Sequence, residues 1–364
     1  MTVRGRLQAG PCNARTFFLR SGSNSVQSID ALVCLEPGKL QIEQRPSPQS
    51  DPDHVLVRPR RVGICGTDYH IFEGKHPFLR YPRVMGHELA VEVVDAPADS
   101  GLERGELFAV NPYIACGHCI ACRNGKPNCC VQISVLGVHE DGGLAGLLKM
   151  PPGNLIRAYD LTADQCAMVE FLAIGAHAIR RGNVTSADRV LVVGAGPIGL
   201  GVALFAHLCG GKVAVLDRDA GRLSAAKLIG DVTTVTADEN VLKTLETFTD
   251  GEGFDAVFDA TGNPIAMEEG FEYVAHGGRY VLVGVVKGPI TFMDPDFHRK
   301  ELTLLGSRNA TSADFERVVA AIHDGKVPLD RLITHRTNLS GAVRDIPRWA
   351  TDKSGLIKAV VELD

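Results

Sequence analysis

Apolar and polar positions begin to pattern at Ala31. From there ALVCLEPGKLQIEQRPSP and HVLVRPRRVGIC are short apolar or alternating runs cut by Pro and Gly, which predicts a β-rich first part. Around Leu161 to Arg181 the period changes. LTADQCAMVEFLAIGAHAIRRG predicts a helix, with Thr162 or Asp164 as its cap and Gly182 as its stop. Downstream, RVLVVGAG, KVAVLD, FDAVFDATG and RYVLVGV are Val-rich runs separated by segments long enough for crossover helices. Strand and helix in alternation predict a parallel, doubly wound sheet. From about Leu305 to Asp364 the pattern is mixed, and it closes on LIKAVVEL, a strand expected to return to the first part. The fold class is therefore α/β, in two parts, as 364 residues lead one to expect.

Composition narrows the function. The chain is 45% hydrophobic and 22% charged, ordinary for a globular protein, and its net charge of -5 supplies no field to attract nucleic acid or an anionic membrane. No stretch approaches the roughly eighteen apolar residues of a membrane span. The expected partner is a small molecule. The ten cysteines occur in a long chain without an apolar signal core near its start, which fits a reducing compartment better than a disulfide framework. Residues 1–29 form an N-terminal extension with Arg4, Arg6, Arg15 and Arg20 and no acidic residue before Asp30. Arg-rich and acid-poor describes a transit peptide, against a disordered extension or a misplaced start. The location is read as cytoplasmic, with the mitochondrial matrix as the alternative if residues 1–29 are a transit segment.

Three constellations carry chemistry. In VLVVGAGPIGLGVALFA, Gly194, Gly196 and Gly199 follow a strand and precede a helix. The first permits the tight turn, the second lets backbone approach a pyrophosphate, and the third allows close helix packing. The helix start offers free N–H groups to the phosphates. Asp217, at the end of the next strand, can accept from both ribose hydroxyls and would repel a 2′-phosphate, which favours NAD over NADP; Arg218 beside it works the other way.

CGHCIACRNGKPNCC places Cys116, Cys119, Cys122 and Cys130 at a spacing that can wrap four thiolates around one Zn²⁺, with Cys129 left over. Four sulfur ligands leave no position for substrate, so this site braces a lobe, residues 111–131, rather than catalysing. The third constellation is quieter. Cys65 in VGICGTDYH, His87 and Glu88 in RVMGHELAVEVV, and Glu170 in AMVEFLAIG offer a thiolate, an imidazole and carboxylates, with Glu88 and Glu170 both open as the carboxylate ligand. Such a set leaves a zinc with one open position, the mark of a catalytic site.

In their order and approximate spacing, GICGTDYH, GHE, the four-cysteine lobe and GAGPIG resemble the zinc-dependent medium-chain dehydrogenases over residues 31–364. Within that family the chain is most similar to the polyol and sugar-acid branch of sorbitol, L-idonate and L-galactonate dehydrogenases, because Glu170 stands where the alcohol dehydrogenases carry a second zinc-site cysteine. The resemblance implies a GroES-like β-rich catalytic domain, residues 30–171 and 307–364, interrupted by an NAD-binding Rossmann domain, residues 172–306. It implies two Zn²⁺, one catalytic and one structural, and NAD, with Pro197, Ile198, Arg222, Val283 and Val285 joining the glycines, Asp217 and Arg218 around the dinucleotide. It implies that Thr67 and His70 relay the proton of a secondary alcohol, that Asp68 orients its loop or a zinc-ligand imidazole, and that Arg308 faces substrate hydroxyls or a sugar-acid carboxylate. Ile71, in place of an aromatic residue of some sorbitol dehydrogenases, points away from sorbitol. A homodimer or homotetramer joined through the edge strand near GPITFMD is implied as well. L-Threonine 3-dehydrogenase activity is the near alternative; a zinc- and nucleotide-binding protein without turnover is the distant one.

Overall fold

A computed structural model describes residues 1, 28–76 and 79–364. Nearly all of the N-terminal extension, with its arginines, lies outside the described residues. Among the described residues four sheets account for the strands, and two of them position the site. In the larger sheet, Val55–Ile64 pairs antiparallel with Glu88–Asp95 on one side and with Lys358–Glu362 on the other. Leu107–Val110, Leu155–Arg157, Leu148–Met150 and Ile333–Asn338 complete it. The closing LIKAVVEL run thus returns to the first part of the chain, as its pattern predicts.

The other sheet is six-stranded and wholly parallel, with its strands in the spatial order third, second, first, fourth, fifth, sixth. This is the doubly wound dinucleotide order, and its crevice opens where the first strand, Arg189–Val193, lies beside the fourth, Phe254–Asp259. Strands buried on both faces read as continuous Val-rich runs, which explains why four of the six stood out in the sequence. The other two, Thr233–Thr236 and Thr303–Gly306, are short, partly exposed edges.

Four helices matter below: α1 (Gly66–Phe72), α2 (Val169–Arg181), α3 (Pro197–Leu208) and α4 (Ser312–His323). The helical stretch expected from Leu161 onward is two helices rather than one. Ala163–Ala167, capped by Thr162, ends at Met168, and α2 then starts afresh and stops at Gly182. The break puts Glu170 in a first turn, where the free N–H groups favour a carboxylate. Gly175 of α2 crosses Gly201 of α3 so closely that a Cβ at Gly175 would collide with backbone, so α2 joins the two sheets through one continuous core. GPITFMD is not a strand: residues 288–293 are irregular, with Phe292 stacked on Phe271, and the edge strand is Thr303–Gly306. Among the described residues, no helix is long and apolar enough to cross a membrane.

Candidate active site

Strand register assembles the site. Gly63 pairs with Glu88 on one side of the central strand, and Ile64 pairs with Ala359 on the other, so Cys65, Glu88 and Lys358 meet at three neighbouring strand ends. Cys65 is also the N-cap of α1: its sulfur accepts from the Thr67 N–H at 3.3 Å, and Asp68 Oδ2 accepts from the Cys65 N–H at 2.9 Å. The other oxygen of Asp68 accepts from the Gly86 N–H at 3.2 Å and lies 3.9 Å from Nδ1 of His87. One buried carboxylate therefore contacts both the cysteine turn and the histidine loop.

The donor atoms form two overlapping sets, Cys65, Asp68 and His87 in one and His87, Glu88 and Glu170 in the other, the atoms of each set lying within 4.8 Å of one another. His87 is common to both. His87, Glu88 and Glu170 are at most 5% exposed, and His87 Nδ1 makes no hydrogen bond among the described residues. Burial opposes charge on His87, but Cys65, Asp68 and Glu170 overcome it and hold its pKa well above the ordinary value. Burial, helped by Glu88, pushes the Glu170 carboxyl up; His87, Tyr113 and Lys358 pull it back. Buried acids and a thiol crowded around one imidazole are stable with a cation among them, and this donor set fits zinc.

The two acids are not equivalent. Glu170 accepts a hydrogen bond from the Tyr113 hydroxyl. Glu88 is engaged by Lys358, whose ammonium is 1% exposed and sits 4.5 Å from the Phe171 ring centroid. Burial disfavours charge on Lys358, but Glu88, Cys65 and Glu170 more than compensate and raise its pKa. Glu170 is thus hydrogen-bonded to a neutral partner, and Glu88 is paired with a cation. Neither Lys358 nor Tyr113 was found from sequence. The signal for Lys358 was one lysine within the otherwise apolar IKAVV, since lysine is almost never buried without a partner. Tyr113 had no signal.

Cys116, Cys119, Cys122 and Cys130 form a second donor set, again within 4.8 Å, while Cys129 is exposed outside it. The N–H groups of Cys116 and Gln132 both donate to the Cys130 sulfur at 3.3 Å. Four such sulfurs fit a closed zinc site.

The glycine turn sits at the end of the first parallel strand. Gly194 adopts φ +98°, closed to most side chains; a Cβ at Gly199 would collide with the Gly194 carbonyl. Pro197 opens α3. Asp217 accepts from the N–H groups of Ala195 (2.7 Å) and Asp219 (2.9 Å), and Arg222 lies 3.8 Å from its Oδ2. Arg218 is exposed, Val283 half-buried and Val285 83% exposed. One cleft is lined by Cys65 and Glu88 together with Gly196, Pro197 and Ile198, and by Arg222, Lys353 and Lys358. Two of the candidate metal donors, Cys65 and Glu88, therefore face the same space as the phosphate turn, whereas His87 and Glu170 do not line it.

At the outer side lie the remaining candidates. Thr67 and His70 are on the first and second turns of α1, His70 at the surface; its pKa is lowered by partial burial and by Lys353, Lys75 and Lys287, against Glu73. Arg308 is exposed. Ile71 is fully buried in the core, so its size bears on packing, and its bearing on substrate choice is withdrawn.

Family models place these features. Residues 51–160 match the alcohol dehydrogenase GroES-like domain and residues 197–324 the zinc-binding dehydrogenase. The chain is 39% identical over 339 residues to L-galactonate-5-dehydrogenase of Escherichia coli strain K12, covering 92% of this chain and 99% of that one. It is 32% identical to an L-threonine 3-dehydrogenase of Bacillus licheniformis, over 83% of this chain and 89% of that one. Among solved structures it is similar to RspB of E. coli CFT073, an alcohol dehydrogenase complexed with NADH, at TM-score 0.86 and 30% identity, over 92% of this chain and 99% of that one. These bacterial relatives lend no support to the mitochondrial alternative. A cleft that joins zinc donors to a dinucleotide turn, and sequence similarity running along almost the whole chain, lead to one conclusion: the protein belongs to the zinc-dependent, NAD(P)-linked medium-chain alcohol dehydrogenases.

Proposed function

We propose that this enzyme oxidises a secondary hydroxyl of a sugar acid of the L-galactonate or L-idonate type, with NAD as hydride acceptor. The observation that carries the reading is the exposed guanidinium of Arg308, in a chain 39% identical to an L-galactonate-5-dehydrogenase. Burial, then Arg83 and Arg308, lower the pKa of His139, so the fixed positive charge near that imidazole comes from the two arginines. A carboxylate at the far end of a polyhydroxy chain would be drawn to it, and the planar guanidinium of Arg308 suits that group. Neutral sorbitol gains nothing from such a charge.

In this reading Cys65, His87 and Glu170 hold the catalytic zinc, with Glu88 retained by Lys358, and Cys116, Cys119, Cys122 and Cys130 hold the structural one. Bound zinc supplies a Lewis acid that lowers the pKa of a substrate hydroxyl. NAD, when bound, supplies the hydride acceptor. Asp217 takes the adenosine ribose, and the glycine turn with Arg222 takes the pyrophosphate. Thr67 accepts the hydroxyl proton and passes it towards His70, which exchanges it with solvent and whose lowered pKa keeps the imidazole neutral and receptive near pH 7. We assign residues 30–171 and 307–364 to the catalytic domain and 172–306 to the nucleotide domain, and expect a homodimer or homotetramer.

NAD reduction measured side by side on L-galactonate, L-idonate, sorbitol and L-threonine tests the reading. Turnover should be highest on an aldonate, be lost in Cys65→Ala with the fold retained, and show a raised KM in Arg308→Ala. Preference for L-threonine or sorbitol, or normal turnover in Cys65→Ala, overturns it.

A further inference from the structure

A buried polar network outside the catalytic donors ties the cysteine lobe to the loop that carries Arg308. Asn128, between the lobe's third and fourth cysteines in the chain, is 4% exposed. Its Nδ2 donates to the backbone carbonyl of Arg308 at 3.1 Å and contacts Nε2 of His177, on α2, at 3.2 Å. The exchange is reciprocal: Asn309 Nδ2 donates to the backbone carbonyl of Asn128 at 3.1 Å. Two amides therefore clamp residues 308–309 and 128 from both sides.

The clamp is held from behind. His177 Nδ1 lies 2.8 Å from Oδ2 of Asp314 at the start of α4. Asp314 is 1% exposed and accepts from Arg180 at 2.7 and 2.9 Å, from the Thr311 N–H at 2.9 Å and from its hydroxyl at 2.8 Å. A carboxylate facing Nδ1 assigns the ring proton to that nitrogen and leaves Nε2 as the acceptor for Asn128. Both hydrogens of the Asn128 amide are then used, and its direction is fixed. Asn309 sits at φ +53°, a left-handed conformation that asparagine tolerates better than most residues, so the backbone after Arg308 turns sharply at the clamp.

We infer that Asn128, oriented by His177 and Asp314, is a positioning residue for Arg308, and that the cysteine lobe thereby sets affinity for the substrate carboxylate rather than serving only as a brace. The inference rests on the proposed role of Arg308. Guanidinium recognition of a carboxylate is directional, so a backbone free to wander at residue 308 weakens binding without touching the reacting carbon.

The test uses the full-length holoenzyme with both zincs loaded, confirmed by metal content. Asn128→Ala is expected to raise the KM for L-galactonate about tenfold, with kcat within about twofold and the KM for NAD unchanged. Asn309→Gly, which keeps the left-handed turn and cuts only the return bond, should move the same constant in the same direction and serves if Asn128→Ala folds poorly. Amide hydrogen exchange in the segment spanning residues 306–311, without substrate, should be faster in both variants. An unchanged KM in both while Arg308→Ala raises it overturns the inference and leaves the carboxylate reading intact. Should Arg308→Ala itself leave KM unchanged, the carboxylate reading falls and takes the substrate half of the inference with it; unchanged exchange in the variants would then remove the clamp as well.

Discussion

Replacing Lys358 by methionine keeps most of the side-chain volume and the contact with Phe171 but deletes the ammonium. Glu88, with none of its side chain exposed to solvent, would then be left in the interior without its cation. Removing one partner of a buried ion pair typically costs about 3–5 kcal/mol, because the survivor's desolvation is no longer offset. For a chain of this size that corresponds to a fall of roughly 4–7 °C in the thermal midpoint. Changing both residues, Lys358→Met with Glu88→Gln, removes the stranded charge and should recover about half or more of the loss. The assay is thermal unfolding of wild type, both single variants and the double, each with zinc loaded. The sign also appears at high pH. A lysine whose folded pKa is raised contributes stability that is complete below its unfolded value, near 10.4, and is lost as pH rises through the folded one; wild type should therefore lose its advantage over Lys358→Met only in strong alkali. A single-variant midpoint within about 2 °C of wild type, or singles that simply add in the double, would refute the claim that these two charges depend on each other.

Asp314 gives an acid-side counterpart. Burial works to raise its pKa, but Arg180, His177 and Thr311 hold it well below the ordinary carboxylate range, so its contribution is complete above about pH 4 and is lost as pH falls further; Asp314→Asn should flatten the acid limb of a stability–pH curve. Cys130→Ser should lower zinc content by about one ion per chain and destabilise the lobe, whereas Cys129→Ser should leave metal content unchanged, as metal analysis of the purified variants would show. Gly199→Ala sets a methyl against the Gly194 carbonyl and should weaken NADH binding at least about tenfold in a fluorescence titration, with zinc retained.

Much of this molecule was readable because its chemistry is concentrated in short, local patterns. The glycine turn, the four spaced cysteines and the Cys65–Asp68 turn each depend on residues a few positions apart, whose mutual distances the backbone itself fixes. Parallel strands buried on both faces announced themselves as Val-rich runs. The edge strands Thr233–Thr236 and Thr303–Gly306 did not, since a half-exposed edge needs no apolar run. Nor did the break at Met168, which lies inside an unbroken helical pattern.

What sequence alone determined was the set of candidate ligands and the order of the two parts. Which groups face one another was decided by tertiary structure, because contacts between residues 270 apart, such as Glu88 with Lys358, follow from strand register rather than from spacing. The same is true of Asn128 against Arg308, joined across 180 positions by side chains that carry no local signature. Local sequence fixes what a short segment can bind; only the packed fold fixes which groups lose their water together, and it is the fold that brings His87 within reach of Cys65 on one side and of Glu88 and Glu170 on the other, and buries Glu88 with Lys358.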